Sequence, residues 1–193
     1  MVSAAGIKQD LMELSLREFL EKTNRERPEI TGGCVLLTNS GLTAAMVLMA
    51  LKITLKRTDG PAQKRQLKQQ IKSISILQTK LVDAAAKDLQ VFDEYRKVLK
   101  SRSKNRQIRL DQALEHATDS LLGVCKTLHQ AIANTEACKA LVHSTVLSDL
   151  NAGQLIFEAT FAALMALAEG NIKAMPSAAQ SKYERWKESL QSA

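Results

Sequence analysis

The feature that most constrains the fold is a run of 22 residues without a charged side chain, residues 30–51, between two highly charged stretches. It opens with a Gly-Gly pair and continues as a helix that is apolar on nearly all sides until Lys52. Such a helix is stable in water only when other helices or another subunit surround it. The run therefore predicts a helical core shared between chains, and its glycines mark a place where backbone can approach a ligand.

A membrane span is the first alternative for this run. A span needs about 20 mainly apolar residues. Here polar residues and glycines interrupt the first half, and the continuous apolar part begins only near Leu42. The charged residues before position 20 leave no apolar segment of a signal peptide. We therefore expect a cytoplasmic protein that makes no membrane contact.

Composition favours long helices. The chain has 193 residues with only three prolines and eight glycines, which is long enough for a substantial core but leaves few turns. No segment alternates as a strand would. We expect a single domain over residues 1–193 that is all-α, with long antiparallel helices in an up-and-down bundle. The three cysteines lack metal-ligand spacing, so we interpret them as buried hydrophobes and predict no metal site.

Local signals place the helices. Ser15 and Glu18 form a capping box for a short first helix. The core helix is expected over about residues 39–57, and a very long helix over about residues 61–100. A short helix is expected near residues 138–145. The pair Ser148 and Asp149 is suited to cap the helix that follows.

Asp88 lies on the apolar stripe of the long helix, where burial of a carboxylate is unfavourable unless a partner or a function compensates for it. One reading is a core aspartate paired with a cation or a helix N-terminus. The other is a functional carboxylate whose pKa is raised by burial.

The helix after residue 148 carries small residues on one face, which permit close helix approach. The face consists of Leu155, Ala159, Ala162, Ala166 and Gly170. We expect this face and residues 42–51 to be largely buried in a homodimer.

Positive charge is concentrated in two clusters, residues 52–72 and residues 96–109, within a net charge of +7. Such clusters attract polyanions, although a solvated surface is the simpler alternative. Nucleic acid is disfavoured because there is no recognition motif and no aromatic residues are interleaved for base stacking.

The order of these features resembles the cyclodeaminase/cyclohydrolase family of folate enzymes, over about residues 11–175. Four segments carry the resemblance: SLREFL at residues 15–20, PEITGGCV at 28–35, DLQVF at 88–92, and Ser148-Asp149 followed by an Ala-rich helix ending in Asn171-Ile172. The glycine segment departs most from the family pattern: Thr31 replaces a proline, Cys34 a third glycine and Val35 a serine. Leu150 and Asn151 replace a Val-Gly pair.

The resemblance implies an all-helical dimer with a folate site in a groove between helices. The expected substrate is a tetrahydrofolate derivative, and neither the cyclohydrolase nor the cyclodeaminase reaction needs a metal or redox cofactor. Both need proton transfer at nitrogen or stabilisation of a positive charge, which a carboxylate can provide.

Two aspartates are candidate catalytic residues. Asp88 is the first, and Asp149 is the second, with simple helix capping as the alternative for Asp149. The candidate substrate-binding residues are Gly32, Gly33, Cys34, Lys52, Lys56, Ser148 and Asn151. The two lysines represent the cluster that would hold a polyglutamate tail. The glycines have an ordinary tight turn as their alternative, and Cys34 a buried hydrophobe, since no base adjoins it in sequence.

Three functions stay open at this stage. The first is a folate one-carbon enzyme, impaired by the altered glycine segment, because a side chain at Cys34 would be strained at positive φ and Val35 lacks a hydroxyl. The second is a non-catalytic helical dimer that binds a ligand or a protein partner. The third, suggested by charge alone, is a protein associated with nucleic acid.

Overall fold

The computed structural model describes residues 11–191, and all regular structure in that range is helical. The six α-helices are α1 (Leu16–Thr23), α2 (Gly32–Arg57), α3 (Pro61–Leu99), α4 (Arg106–Cys138), α5 (Leu147–Lys173) and α6 (Ser177–Gln191). Short 3₁₀ helices at Leu11–Glu13 and Ser144–Val146 precede α1 and α5. The prediction of an all-α fold is confirmed.

The four long helices α2, α3, α4 and α5 form an up-and-down bundle. Each packs against the next in sequence, and α5 returns to pack on α2. The directions follow from the contacts: Gly33 and Gly41 of α2 lie against Asp88 and Val82 of α3, so the two helices are antiparallel. Consecutive helices joined by short connections adopt this arrangement as a rule.

Helix α2 contributes many buried residues to the core and begins earlier than predicted. Thr31 is its N-cap, and the Thr31 hydroxyl oxygen accepts a hydrogen bond from the backbone N–H of Cys34 at 3.0 Å. The prediction of a Gly-Gly turn with a helix from about residue 39 is therefore wrong. No residue in the described part of the chain has a positive φ, so this glycine pair continues the helix rather than reversing the chain.

The signals for α1 and α3 are confirmed. Ser15 caps α1, and Glu18 completes the capping box with a hydrogen bond from the Ser15 backbone N–H at 2.8 Å. Helix α3 begins at Pro61, where the missing N–H of proline costs nothing, and it continues without a break to Leu99.

Two predictions near α5 are wrong. Helix α4 continues through Cys138, so there is no separate helix over residues 138–145. Ser148 and Asp149 do not cap α5, because its N-cap is Val146 and both residues lie inside the first helical turn.

The small-residue face of α5 is exposed in the single chain, and its burial in a homodimer stays a prediction. Ala159, Ala162, Ala166 and Gly170 are all exposed, and Leu155 retains 65% of its accessible surface. Residues 42–51 are mixed: most are buried, whereas Leu42 and Met49 are exposed. These two helices therefore carry apolar side chains that the single chain leaves exposed.

Two helices, Gly32–Arg57 and Ser144–Lys173, have the length and apolar composition of a membrane span. In this structure they pack against each other inside the bundle. More than half of the most apolar window of the first is buried, and a third of that of the second. Core helices of a bundle satisfy the same length and composition test.

Candidate functional site

A cavity of about 280 Å³ opens at the end of the bundle where α2 begins and α5 ends. All four long helices contribute to it. Its walls are mostly apolar or aromatic, and its polar side chains are those of Asp88, Tyr95 and Asn171. The lining residues are Gly33, Asp88, Val91, Phe92, Tyr95, Leu114, Ala117, Leu121, Leu167, Asn171 and Ala174. A mainly apolar pocket with a few convergent polar groups is the usual form of a small-molecule site.

The Asp88 carboxylate lies against the first turn of α2. Its Oδ2 accepts a hydrogen bond from the hydroxyl of Thr31, the N-cap residue of that helix. The backbone N–H of Cys34, which donates to Thr31 Oγ1 at 3.0 Å, also lowers the pKa of this carboxyl group. Asp88 is thus paired with a helix N-terminus, as the structural reading of the sequence allowed, and it lines the cavity at the same time.

Gly33 makes this approach possible. The residue is buried, and a β-carbon at its position would lie 2.7 Å from Oδ1 and 2.8 Å from Oδ2 of Asp88. Carbon–oxygen separations this short do not occur without displacement of one of the groups. The glycine therefore gives the carboxylate room beside the helix, a role that needs no unusual backbone conformation.

The electrostatic state of Asp88 reflects two opposing effects. Burial raises the pKa of its carboxyl group above the ordinary value, while the hydrogen bonds from Thr31 and the Cys34 backbone lower it in part. No lysine, arginine or histidine lines the cavity, and no ion pair among residues 11–190 includes Asp88. In the described chain, the hydrogen-bond donors to this carboxyl group are therefore neutral groups.

Cys34 is a core residue. Its side chain is fully buried, it does not line the cavity, and burial raises the pKa of its thiol to about 11. A thiol in that state is protonated at neutral pH and is a poor nucleophile. Its contribution to the site is its backbone N–H, and Gly32, which is exposed, does not line the cavity either.

The remaining predicted residues lie at the opposite end of the bundle. Lys52 is 19 residues along α2 from Gly33, which corresponds to about 28 Å at the helical rise. Ser148, Asp149 and Asn151 lie at the start of α5, whereas Asn171 in the cavity lies near its end. Within one chain the structure does not bring these residues, or Lys56, to the Asp88 cavity.

Hydrogen bonds stabilise the end of the bundle that lies opposite the cavity. Arg57 Nη1 donates to Thr145 Oγ1 at 2.7 Å, and the backbone N–H of His143 donates to Thr54 Oγ1 at 3.0 Å. These contacts join the end of α2 to the segment before α5. The first basic cluster, residues 52–72, therefore lies near Ser148 and Asp149 and far from Asp88.

The second basic cluster, residues 96–109, adjoins the cavity. Tyr95 lines the cavity and Arg96 follows it, with the Arg96 guanidinium carbon 5.7 Å from the centre of the Phe92 ring. The rest of the cluster is exposed along the end of α3 and the start of α4. Positive charge thus surrounds this end of the bundle without entering the apolar cavity.

Sequence reasoning missed four residues of this site: Thr31, Phe92, Tyr95 and Asn171. Phe92 and Tyr95 follow Asp88 by four and seven residues, the spacing of one helix face, so the periodicity contained that signal. Asn171 lay in a segment already noted for its resemblance, but no role was assigned to it. Thr31 was recorded only as a departure from a pattern, because its hydroxyl contact joins residues 57 positions apart.

Comparison with known proteins identifies the relatives of this arrangement. Residues 15–190 match the family profile described as formiminotransferase-cyclodeaminase. Among solved structures, the chain is similar to formiminotetrahydrofolate cyclodeaminase from Thermotoga maritima, with a TM-score of 0.83 and 21% sequence identity over 94% of this chain and 90% of that chain. None of the curated protein sequences matches the chain.

Proposed function

Because the chain belongs to the formiminotransferase-cyclodeaminase family, we propose that it binds a tetrahydrofolate derivative in the Asp88 cavity and acts on its methenyl or formimino group. The observation that carries the proposal is the carboxylate of Asp88, which has no cationic side chain beside it in a cavity with apolar and aromatic walls. Such a site favours a flat ligand that brings its own positive charge.

Two reactions fit this site. In the cyclohydrolase direction, water adds to the cationic methenyl carbon as Asp88 takes one of its protons. The remaining hydroxyl proton passes to N5 as the bond between N5 and the carbon breaks and the formyl carbonyl forms. In the cyclodeaminase direction, N10 attacks the protonated formimino carbon and ammonia leaves. In both, the Asp88 carboxylate would stabilise positive charge on the one-carbon unit and accept a proton. Neither reaction needs a metal or redox cofactor.

The case for an impaired enzyme is weaker than the sequence suggested. Cys34 lies in a regular helix, so the argument from strain at positive φ no longer applies. The missing serine hydroxyl at Val35 is the remaining reason to expect slow turnover. Binding without turnover would point to the alternative function, a non-catalytic ligand-binding protein of the same fold.

The test combines ligand binding with turnover. Folinic acid should raise the melting temperature of the native chain, because a ligand that binds only the folded state stabilises it. Hydrolysis of methenyltetrahydrofolate should be followed by loss of its absorbance. Turnover should disappear in Asp88→Asn and persist in Asp83→Asn, a matched control at an exposed carboxylate of the same helix. No folate binding by the native chain would refute the proposal.

The basic cluster next to the cavity is the better candidate for a polyglutamate tail. Lys52 and Lys56, which the sequence suggested for this role, lie at the other end of α2. A tail that leaves the cavity past Tyr95 would meet the cations of residues 96–109. Electrostatic attraction along such a surface does not need a fixed contact for each carboxylate.

We also propose that the exposed face of α5 is covered by a second copy of the chain. Its exposed alanines and Leu155 would let two α5 helices approach closely about a two-fold axis. If the two helices are antiparallel, the first turns of one lie beside the last turns of the other. Asp149 of the partner subunit would then lie near Asn171, which would join the two groups of predicted site residues.

The oligomeric state tests this arrangement. The native chain should have the mass of a dimer by light scattering, and Ala162→Glu should have that of a monomer. Ala133→Glu, an equivalent change at an exposed alanine of α4, should leave the dimer intact. A monomeric native chain at micromolar concentration would refute the dimer.

A further inference from the structure

The hydroxyl group of Thr31 makes two hydrogen bonds, and its role in one of them determines whether it donates or accepts in the other. Its oxygen accepts the backbone N–H of Cys34 at 3.0 Å and is in hydrogen-bonding contact with Oδ2 of Asp88. Among residues 11–190, Thr31 Oγ1 has no third partner. A hydroxyl has one hydrogen to donate. If Asp88 donated to Thr31, the hydrogen of the Thr31 hydroxyl would have no acceptor. Both groups are therefore satisfied when Thr31 donates and Asp88 accepts.

We propose that Thr31 is a positioning residue that fixes the Asp88 carboxylate as a hydrogen-bond acceptor and thereby selects cationic ligands. An ionised carboxylate accepts hydrogen bonds at both oxygens and stabilises positive charge, whereas a neutral carboxylic acid keeps acceptor capacity but also donates one hydrogen and carries no charge to offset that of a cation. With respect to the folate reaction, this inference rests on the proposed function. It implies that Asp88 meets the cationic methenyl or protonated formimino form of the substrate.

Few other groups can influence this ionisation. From α2, the Cys34 thiol faces Asp88, and its own raised pKa keeps it neutral. From α3, Tyr95 lines the same cavity, and Arg96 lies outside it against the Phe92 ring. The residues that α4 and α5 contribute to the lining are uncharged. Thr31 is thus the main side chain that opposes the effect of burial on Asp88.

The direct test is the titration of Asp88 in the full chain without ligand. Its carboxyl ¹³C signal, assigned by its loss in Asp88→Asn, reports the pKa. Thr31→Val removes the hydroxyl with little change in shape, and we expect it to move the titration to higher pH. Thr31→Ser keeps a hydroxyl and should return the titration to the native position.

Two further variants separate this effect from helix capping. Thr43→Val removes a buried hydroxyl from the same helix, one that donates to the Asn39 carbonyl at 2.8 Å and does not contact Asp88, and it should leave the titration unchanged. Thr31→Gly keeps most of the capping preference, because glycine costs only a few tenths of a kcal/mol at an N-cap. Thr31→Gly should shift the titration of Asp88 to higher pH, as Thr31→Val does. The glycine variant can therefore replace the valine variant if the latter folds poorly.

The outcomes are distinct. An upward shift in Thr31→Val and Thr31→Gly, reversed in Thr31→Ser, supports the proposal. An unchanged titration in the folded valine or glycine variant overturns it, as does a serine variant that behaves like valine. Because no folate is present, this result is independent of the folate proposal. If folate binds, its loss at low pH should begin at higher pH in Thr31→Val than in the native chain.

Discussion

Gly33 and Asp88 are in such close contact that a β-carbon on the glycine would lie 2.7 Å from the nearest carboxylate oxygen. The two residues come from different helices, α2 and α3, and together they form one wall of the cavity. The contact explains why a glycine is required in a helical turn where it has no special backbone angle.

Gly33→Ala should therefore displace the carboxylate and reduce turnover or ligand affinity strongly, by about a hundredfold in rate, because small misplacements of a reacting group have effects of this size. Gly32→Ala is the matched control, since a β-carbon there would meet nothing within 4 Å. The control should retain native binding and melt at the same or a slightly higher temperature. Equal behaviour of the two variants in a folinic acid melting assay would contradict this account.

Asp88 is predicted to lower the stability of the fold at neutral pH. Burial raises its pKa in the folded state, so the folded chain binds this proton more tightly than the unfolded chain. The stabilising contribution of that proton is complete below the unfolded pKa and is lost as the pH rises through the raised folded pKa. Asp88→Asn carries no such charge, and its amide oxygen can still accept from Thr31.

The expected result is a higher melting temperature for Asp88→Asn than for the native chain at pH 7, because burial raises the pKa of the carboxyl group that the variant lacks. The difference should disappear below the unfolded pKa of aspartate. A lower melting temperature at pH 7, measured by circular dichroism, would show that the carboxylate stabilises the fold.

Cys34 should behave as a core residue in solution. The cysteines at positions 34, 125 and 138 are fully buried, and burial raises the pKa of the Cys34 thiol to about 11. None should react with a thiol reagent at neutral pH until the chain unfolds. Fast labelling of one native cysteine, located by mass spectrometry, would contradict this.

Cys34→Gly is now expected to destabilise the chain and not to restore activity. It combines a glycine in a helix, which costs about 1 kcal/mol, with the loss of a buried side chain, for a total of about 2 kcal/mol by denaturant unfolding. Cys34→Ala should cost less, because it keeps a good helix former. Increased turnover in the glycine variant would revive the view that this position impairs the enzyme.

Arg96 and its neighbours should affect ligands with long anionic tails. Arg96→Gln should weaken binding of a folate with several glutamates by up to about fivefold at low salt, the range expected for one partly exposed cation. Binding of the monoglutamate form should hardly change. The matched control is Lys52→Gln, which removes a cation at the far end of α2. A larger effect of Lys52 would place the tail on the first basic cluster instead.

Much of the fold follows from local sequence signals, because those signals act within one helix. Pro61 and the stripe that follows it placed α3 correctly, and the pair Ser15 and Glu18 placed the start of α1. The beginning of α2 was misplaced because two adjacent glycines are typical of turns, whereas here Gly33 lies inside a helix and makes room for Asp88. That contact joins residues 55 positions apart and has no local signature.

Part of the site could also be predicted, because its signal lies within one helix. Asp88 could be recognised because a carboxylate interrupts an apolar stripe. The grouping of Asp88 with Asp149 could not be checked from sequence, since it depends on the helix directions and, under the dimer proposal, on a second chain. A single domain over the whole chain, a homodimer and a cytoplasmic location remain predictions.

The glycines of the bundle fall into two groups, which differ in whether a side chain could be added at their position. At three of them an added β-carbon would meet a side chain of a neighbouring helix within 3 Å: Gly33, Gly41 and Gly153. At four others it would meet nothing within 4 Å: Gly32, Gly60, Gly123 and Gly170. All three glycines lie in the contacts of α2 with α3 or α5, so a larger residue at any one of them would have to displace the side chain that it meets. An added methyl group should therefore disturb packing at the first three positions and not at the other four, so the close approach of α2 to α3 and α5 depends in part on the missing side chains of three glycines.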